Sequence, residues 1–252
     1  MQITVEGYQW WWGFRYTDPD MTVSYGDHDA IVTADVMVIP AGRTINLSLT
    51  SLAVARTAPP ACPTTQVIHS FWAPRLFGKQ DVVAAGETNH IVFSADEPGH
   101  LLRAVRRVLR APARKDEVPH PRRWTQTEWQ AMGRQREADG ADASTDGLAQ
   151  QGMDLFFGTE RGRRSVHPCH GVGGTEASST AAPNLTHYAA TSHECFAGCD
   201  FETFNPDGTP NVEALKAWLR DPNAVKLGAK MPDYGLTEQQ IDALVAYLYS
   251  LK

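Results

Sequence analysis

No apolar run in this chain approaches the roughly 20 residues that cross a bilayer as a helix, so no helical membrane span is expected among its 252 residues. Positive charge is not in excess: 23 Lys and Arg stand against 29 Asp and Glu, a net charge of −6. A phosphate-binding surface wants clustered cations, so nucleic acid is not an expected partner. Cysteine is scarce. Cys62, Cys169, Cys195 and Cys199 are too few for a disulfide scaffold in a chain of this length. Cys195 and Cys199 form a C-x-x-x-C pair that reads as a disulfide or two free thiols. A metal site there lacks a matching second ligand pair. No signal peptide is visible, since Met1 leads straight into the strand-like QITVEGY. No internal repeat is found.

Hydrophobic residues at 42% and charged residues at 21% are the proportions of a globular protein, and the length suits two ordinary domains. The first part reads as β. Ile3–Val5, Ala30–Ile39, Ile45–Thr50 and His90–Ser94 are short runs rich in Val, Ile and Thr, separated by turn residues. Residues 53–65 hold Pro59, Pro60 and Pro63 and read as a loop or insertion. Eight cations, Arg103, Arg106, Arg107, Arg110, Arg114, Lys115, Arg122 and Arg123, crowd one stretch. After Trp124 comes a helical pattern, TQTEWQAMGRQREA, then linker-like DGADASTDG. From Leu148 the chain reads as helices: LAQQGMDLFF, NVEALKAWLRDP and LTEQQIDALVAYLYSLK. In the last, Thr237 and Gln240 fit a capping box, and Ile241, Leu244, Val245 and Leu248 share one face. The expected organisation is a β domain over 1–123, a helix and linker over 124–147, and an α domain over 148–252.

Two strings stand out in the β half, GYQWWWGF at 7–14 and VIHSFWAP at 67–74. With VTADVMVIPAGR, LSLTS, the continuation RLFGKQDVVAAGETN, and FSADEPG they follow in order from Val5 to Gly99. This ordered set resembles the copper domain of cytochrome c oxidase subunit II. The resemblance implies a cupredoxin-like β-sandwich in which His69 is a copper ligand and Trp10, Trp11 and Trp12 form the surface that accepts electrons. From the residues alone, His69 also fits a hydrogen-bonded histidine at a strand end, and the tryptophans fit an apolar partner-contact patch.

A dinuclear copper centre needs bridging thiolates with imidazole and thioether ligands, which the family draws from a loop of pattern C-x-E-x-C-x-x-x-H-x-x-M. Residues 100–123 instead read HLLRAVRRVLRAPARKDEVPHPRR, without cysteine. Reverse-translated one nucleotide out of phase, Leu101–Glu117 accommodates YYGQCAEFCGLQHAKM without a codon conflict. The hidden cysteine codons straddle Val105–Arg106 and Leu109–Arg110, the histidine Ala113–Arg114 and the methionine Asp116–Glu117. The expectation is a compensated frameshift after Gly99. The rival reading is a basic amphipathic helix with Leu101, Leu102, Val105 and Leu109 on one face, suited to an acidic partner or a membrane surface.

A c-type haem needs C-x-x-C-H, two thiols for the vinyl groups and a histidine for the iron. This chain has VHPCH, with Val166 in the first cysteine's place and Cys169 and His170 intact. APNLTH at 182–187 and Met231 in LGAKMPDYG follow. Together they resemble a class I cytochrome c fused to subunit II, as in caa-type oxidases. The resemblance implies haem c bound by Cys169, His170 and Met231, with His187 and His193 at the surface or beside the site. ERGRRS upstream is foreign to that family, so a second compensated frameshift over 160–168 is expected.

The implied function is electron relay from a donor, through haem c and a dinuclear copper, to the catalytic subunit I of a haem–copper oxidase. The subunit would take part in an oxidoreductase and proton translocase without reducing oxygen itself. The donor would be a cytochrome c or a quinol-oxidising complex. The resemblance further implies an N-terminal transmembrane hairpin upstream of Met1, with the chain a truncated gene product or a fragment. Both domains would lie on the periplasmic, extracytoplasmic side of the cell membrane. Two other classes stay open: a copper-free docking module using Trp10–Trp12, and a free carrier using the cytochrome half alone.

Overall fold

The computed structural model describes residues 1–8, 11–17, 31–51, 68–73, 76–82, 87–95, 99–100, 120–124, 147–158, 168–179, 181–191, 203–205 and 207–251. They fall into two compact units, the first holding the described residues up to 124 and the second those from 147. Val105, Val166, Cys62, Cys195, Cys199, His193, Trp10 and the expected helix over 125–138 lie outside the described residues.

The first unit is built of strands: β1 (Gln2–Tyr8), β2 (Trp11–Tyr16), β3 (Ile31–Ala34), β4 (Val36–Pro40), β5 (Thr44–Ser51), β6 (His69–Phe71), β7 (Gln80–Val82), β8 (Asn89–Ser94), β9 (Gly99–His100) and β10 (His120–Trp124). A five-stranded sheet runs β3-β2-β1-β5-β8, a three-stranded sheet β4-β10-β9, and β6 pairs with β7. The β1–β5 and β4–β10 pairings are parallel, and the others are antiparallel. Alternation decides which side chains meet inside. Ile3 and Val5 from β1, Trp12, Phe14 and Tyr16 from β2, and Ile45, Leu47 and Leu49 from β5 form one core with Phe71 and Val82.

The run Ala30–Ile39, expected as one strand, is two strands in different sheets. Asp35 breaks it with a left-handed φ of 59°, a conformation that Asp tolerates better than most residues. Its carboxylate accepts from the Trp12 backbone N–H at 2.9 Å, and its own N–H donates to the Trp12 carbonyl at 2.8 Å. The Tyr16 hydroxyl then accepts from the Val38 N–H at 2.8 Å, linking β2 to β4. Within 100–123 the basic stretch 101–109 lies outside the described residues, and the backbone of residues 120–124 is a strand, with Arg122 and Arg123 opposite His100 and Gly99.

The second unit is helical: α1 (Gly147–Phe157), α2 (Tyr188–Thr191), α3 (Val212–Arg220), α4 (Pro222–Val225) and α5 (Glu238–Ser250). The Thr237–Gln240 capping box is present at the start of α5. Asn211 caps α3, accepting from the Ala214 N–H at 3.2 Å. The run read as one helix through Pro222 stops at Arg220, because Asp221 is extended and caps α4, with Pro222 at its first turn. Helices α1 and α5 cross at Gly152. A Cβ there would overlap the Ala243 carbonyl oxygen and stand 2.8 Å from Tyr247 Cβ, so only glycine lets the two backbones come this close. Phe156, Leu215, Leu219, Ile241, Leu244, Val245 and Leu248 form the core beside that crossing. Among the described residues no helix is long and apolar enough to cross a membrane.

Candidate functional site

In the β unit, His69 opens β6 opposite Val82 and is 3% exposed. Among the described residues, an indole and a bare glycine backbone stand against it. Trp12 meets the imidazole edge-on with centroids 5.4 Å apart, and Phe71 meets Trp12 at 5.0 Å. Gly7, paired with Trp12 across the β1–β2 ladder, provides the room. A Cβ on Gly7 would lie 2.6 Å from His69 Cδ2 and 2.8 Å from Cγ. Burial pushes the His69 pKa down to about 4, so the ring is neutral at neutral pH and keeps the lone pair a metal requires.

The tryptophans divide. Period-2 alternation sends Trp12 into the core, 3% exposed, and Trp11 to the opposite face, where it stacks on Tyr8 with centroids 4.0 Å apart. The expectation that all three lie on one surface fails for Trp12. Among the described residues no group of three or more His, Cys, Asp or Glu side chains is placed to hold a metal ion. A single buried imidazole does not fit a dinuclear copper centre, which needs bridging thiolates.

In the helical unit, the loop from 168 to 187 folds back on itself. Ala182 N–H donates to the Cys169 carbonyl, and Leu185 N–H to the Gly171 carbonyl, both at 2.8 Å. Thr186 Oγ1 accepts from Gly173 N–H and donates to Asn184 Oδ1, both at 2.6 Å. The turn is tight: a Cβ on Gly171 would stand 2.9 Å from the Ser179 carbonyl oxygen. These bonds bring Pro183 beside His170, whose Nδ1 lies 2.8 Å from the Pro183 carbonyl. A carbonyl only accepts, so Nδ1 carries the proton and Nε2 keeps its lone pair. Desolvation lowers the His170 pKa, and the Pro183 bond opposes it. Met231 is half-buried and packs with Tyr234 and Leu236 against the helical core.

A neutral imidazole of fixed tautomer is a donor type that a c-type haem takes, and Met231 brings a thioether to the same unit. Cys169 is 8% exposed and disulfide-bonded. A disulfide sulfur has no thiol to add to a vinyl group, so it must be reduced before it can anchor a haem. His187 is buried rather than at the surface. Sequence reading did not single out Gly7, Asp35 or the Glu6–Tyr8 pair. Glu6 and Tyr8, two apart on a strand, share a face with Trp11 across the hairpin; that spacing was the available signal.

Residues 167–252 match the cytochrome c family. The chain is 32% identical over 251 residues to the cytochrome c oxidase subunit 2 of Alkalihalophilus pseudofirmus, covering 99% of this chain and 61% of that protein. It is 30% identical over 259 residues to the subunit 2 of Bacillus sp. (strain PS3), covering 99% of this chain and 62% of that protein. The chain thus spans about three fifths of the length of these curated relatives. The periplasmic domain of subunit II of the Bradyrhizobium japonicum cytochrome oxidase is 19% identical over 54% of this chain and 94% of that one. Its TM-score of 0.37 carries no weight for the fold. Nearly the whole chain is similar to cytochrome c oxidase subunit 2, and residues 167–252 are similar to cytochrome c.

Proposed function

We propose that the chain is the electron-transferring arm of a haem–copper oxidase, a cupredoxin-like β-sandwich with a class I cytochrome c fused behind it. The observation that carries this reading is the His170 tautomer. A ring held by the Pro183 carbonyl offers Nε2 as a ligand, inside the residues that match cytochrome c. When bound, haem c supplies a one-electron iron couple. His170 and Met231 would be the residues that hold its iron. Cys169 would give the single thioether anchor left by the valine at 166.

The chain's own residues prepare that place in two ways. The Pro183 carbonyl fixes the imidazole ring, and desolvation favours its neutral form. The β unit does not offer the same. With only His69 in place, no step through copper follows from these residues. The partners in this reading are the oxidase catalytic subunit and a cytochrome c or quinol-oxidising donor. Both units then lie on the extracytoplasmic side of the cell membrane.

The lone His69 favours a second reading, a carrier that works through its haem alone. Resequencing the gene across codons 95–130 and 155–172 separates the two. Shifted frames there restore the copper loop and the relay, whereas confirmed arginines leave the haem carrier. The direct test is reduction and reoxidation of the full chain with purified oxidase catalytic subunit. Turnover that disappears in His170→Ala supports the electron-transferring arm, and a chain that neither takes up haem nor binds the catalytic subunit overturns it.

A further inference from the structure

On the face of the β1–β2 hairpin that points away from His69, four side chains form a connected set. The Tyr8 hydroxyl donates to Glu6 Oε2 at 3.0 Å, and both residues are 6% exposed. Arg15 Nε stands 3.6 Å from the other carboxylate oxygen of Glu6. Trp11 lies flat on the Tyr8 ring, centroids 4.0 Å apart and planes within 5°. Register makes the set possible: Tyr8 sits opposite Trp11 and Glu6 opposite Gly13. A Cβ at Gly13 would come within 3.1 Å of Tyr8, 3.3 Å of Trp11 and 3.4 Å of Glu6. One missing side chain therefore lets all three groups close together.

Stacked rings at this separation share electron density, and the hydrogen bond is short enough for a proton to cross. We propose that Tyr8 is a redox-active residue that reduces an oxidised Trp11 and passes its phenolic proton to Glu6. The oxidant is the tryptophanyl radical cation, formed when a strong one-electron oxidant, such as an oxygen-derived radical, takes an electron from Trp11. One electron then moves from Tyr8 to Trp11, and the O–H proton moves to Glu6 Oε2. The products are a neutral indole, a neutral tyrosyl radical and a carboxylic acid, so charge and electrons balance. A one-electron reductant reverses the step and the proton returns.

Burial, reinforced by the Glu6 carboxylate, pushes the Tyr8 phenol far above its ordinary range. The phenolate is thereby disfavoured, so the proton leaves with the electron or after it rather than before it. Arg15 keeps its charge throughout and balances the carboxylate before the transfer. This pair needs neither haem nor copper, so it stands apart from the electron-transferring reading above.

The test is laser flash-quench oxidation of the full chain with a ruthenium polypyridyl sensitiser, followed by transient absorption and electron paramagnetic resonance. In the unaltered chain the indolyl radical should decay as a tyrosyl radical grows in, more slowly in deuterated water. Tyr8→Phe should remove that tyrosyl signal and prolong the indolyl radical. Glu6→Gln keeps the shape and an accepting oxygen but cannot take the proton, and should slow the transfer about a hundredfold. Circular dichroism checks that each variant folds, and the isotope effect on the unaltered chain needs no variant. A tyrosyl signal surviving in Tyr8→Phe overturns the proposal, as does an unchanged rate in Glu6→Gln or the absence of an isotope effect.

Discussion

Each unit holds a desolvated histidine with a candidate role, His69 and His170, and the two are prepared differently. His69 packs against Trp12 and the bare backbone of Gly7, and its neutrality comes from desolvation alone. His170 is desolvated as well, but the Pro183 carbonyl also fixes its orientation and tautomer. Burial therefore makes an imidazole available, while a second group aimed at the ring fixes the direction of its free nitrogen. The helical unit has that second group together with Met231. Among the described residues neither unit has a group of three or more His, Cys, Asp or Glu placed to hold a metal ion.

The same contrast appears in how tightly each unit uses glycine, and the largest expected effect lies there. At Gly152 the obstacle is the backbone of α5, which cannot step aside. Gly152→Val should cost about 4 kcal/mol, near the top of the range for overpacking, seen as loss of the helical transition in a thermal melt with the β transition kept. Equal losses in both transitions would show that the two units do not melt independently.

Acid should act on the β unit next. The unfolded chain binds a proton at His69 near pH 6.5, and the folded chain only near pH 4. Between those values the unfolded state holds more protons, so stability is full above the window and falls as pH is lowered through it. The loss for the β transition is about 3 kcal/mol, read from urea melts across that range. His69→Phe should flatten the slope, and a slope unchanged in that variant would place the titrating group elsewhere.

Gly7→Ala should come third. Its Cβ meets a side chain, which can shift, so the cost is about 2 kcal/mol. The displaced ring should titrate closer to the ordinary pKa of histidine, measured by the NMR shift of its ring protons. The smallest effect belongs to the capping box. Thr237→Ala should cost the helical unit about 1 kcal/mol and leave the pH response of the β unit untouched.

Legibility in the sequence followed locality. The start of α5 was readable because Thr237 and Gln240 act within one turn and the apolar spacing repeats at the helical period. The strands β1 and β5 were readable as runs rich in Val, Ile and Thr. The break at Asp35 was not, because a β-rich run reads as one strand and the bond from the Trp12 N–H crosses 23 residues. Trp12 was misplaced because three successive tryptophans hide the alternation that separates neighbours onto opposite faces. The haem-side residues were legible as motifs. That Pro183 fixes the His170 ring is a contact across 13 residues, which no local pattern states. The pocket of His69 likewise depends on Gly7, 62 positions earlier.

The most direct test is haem iron in the purified full chain, produced with haem-attachment machinery and scored against His170→Ala and His69→Ala. Iron equimolar with the unaltered chain, retained in His69→Ala and lost in His170→Ala, is the result this account predicts. Iron retained without His170, or lost when His69 is removed, would contradict it.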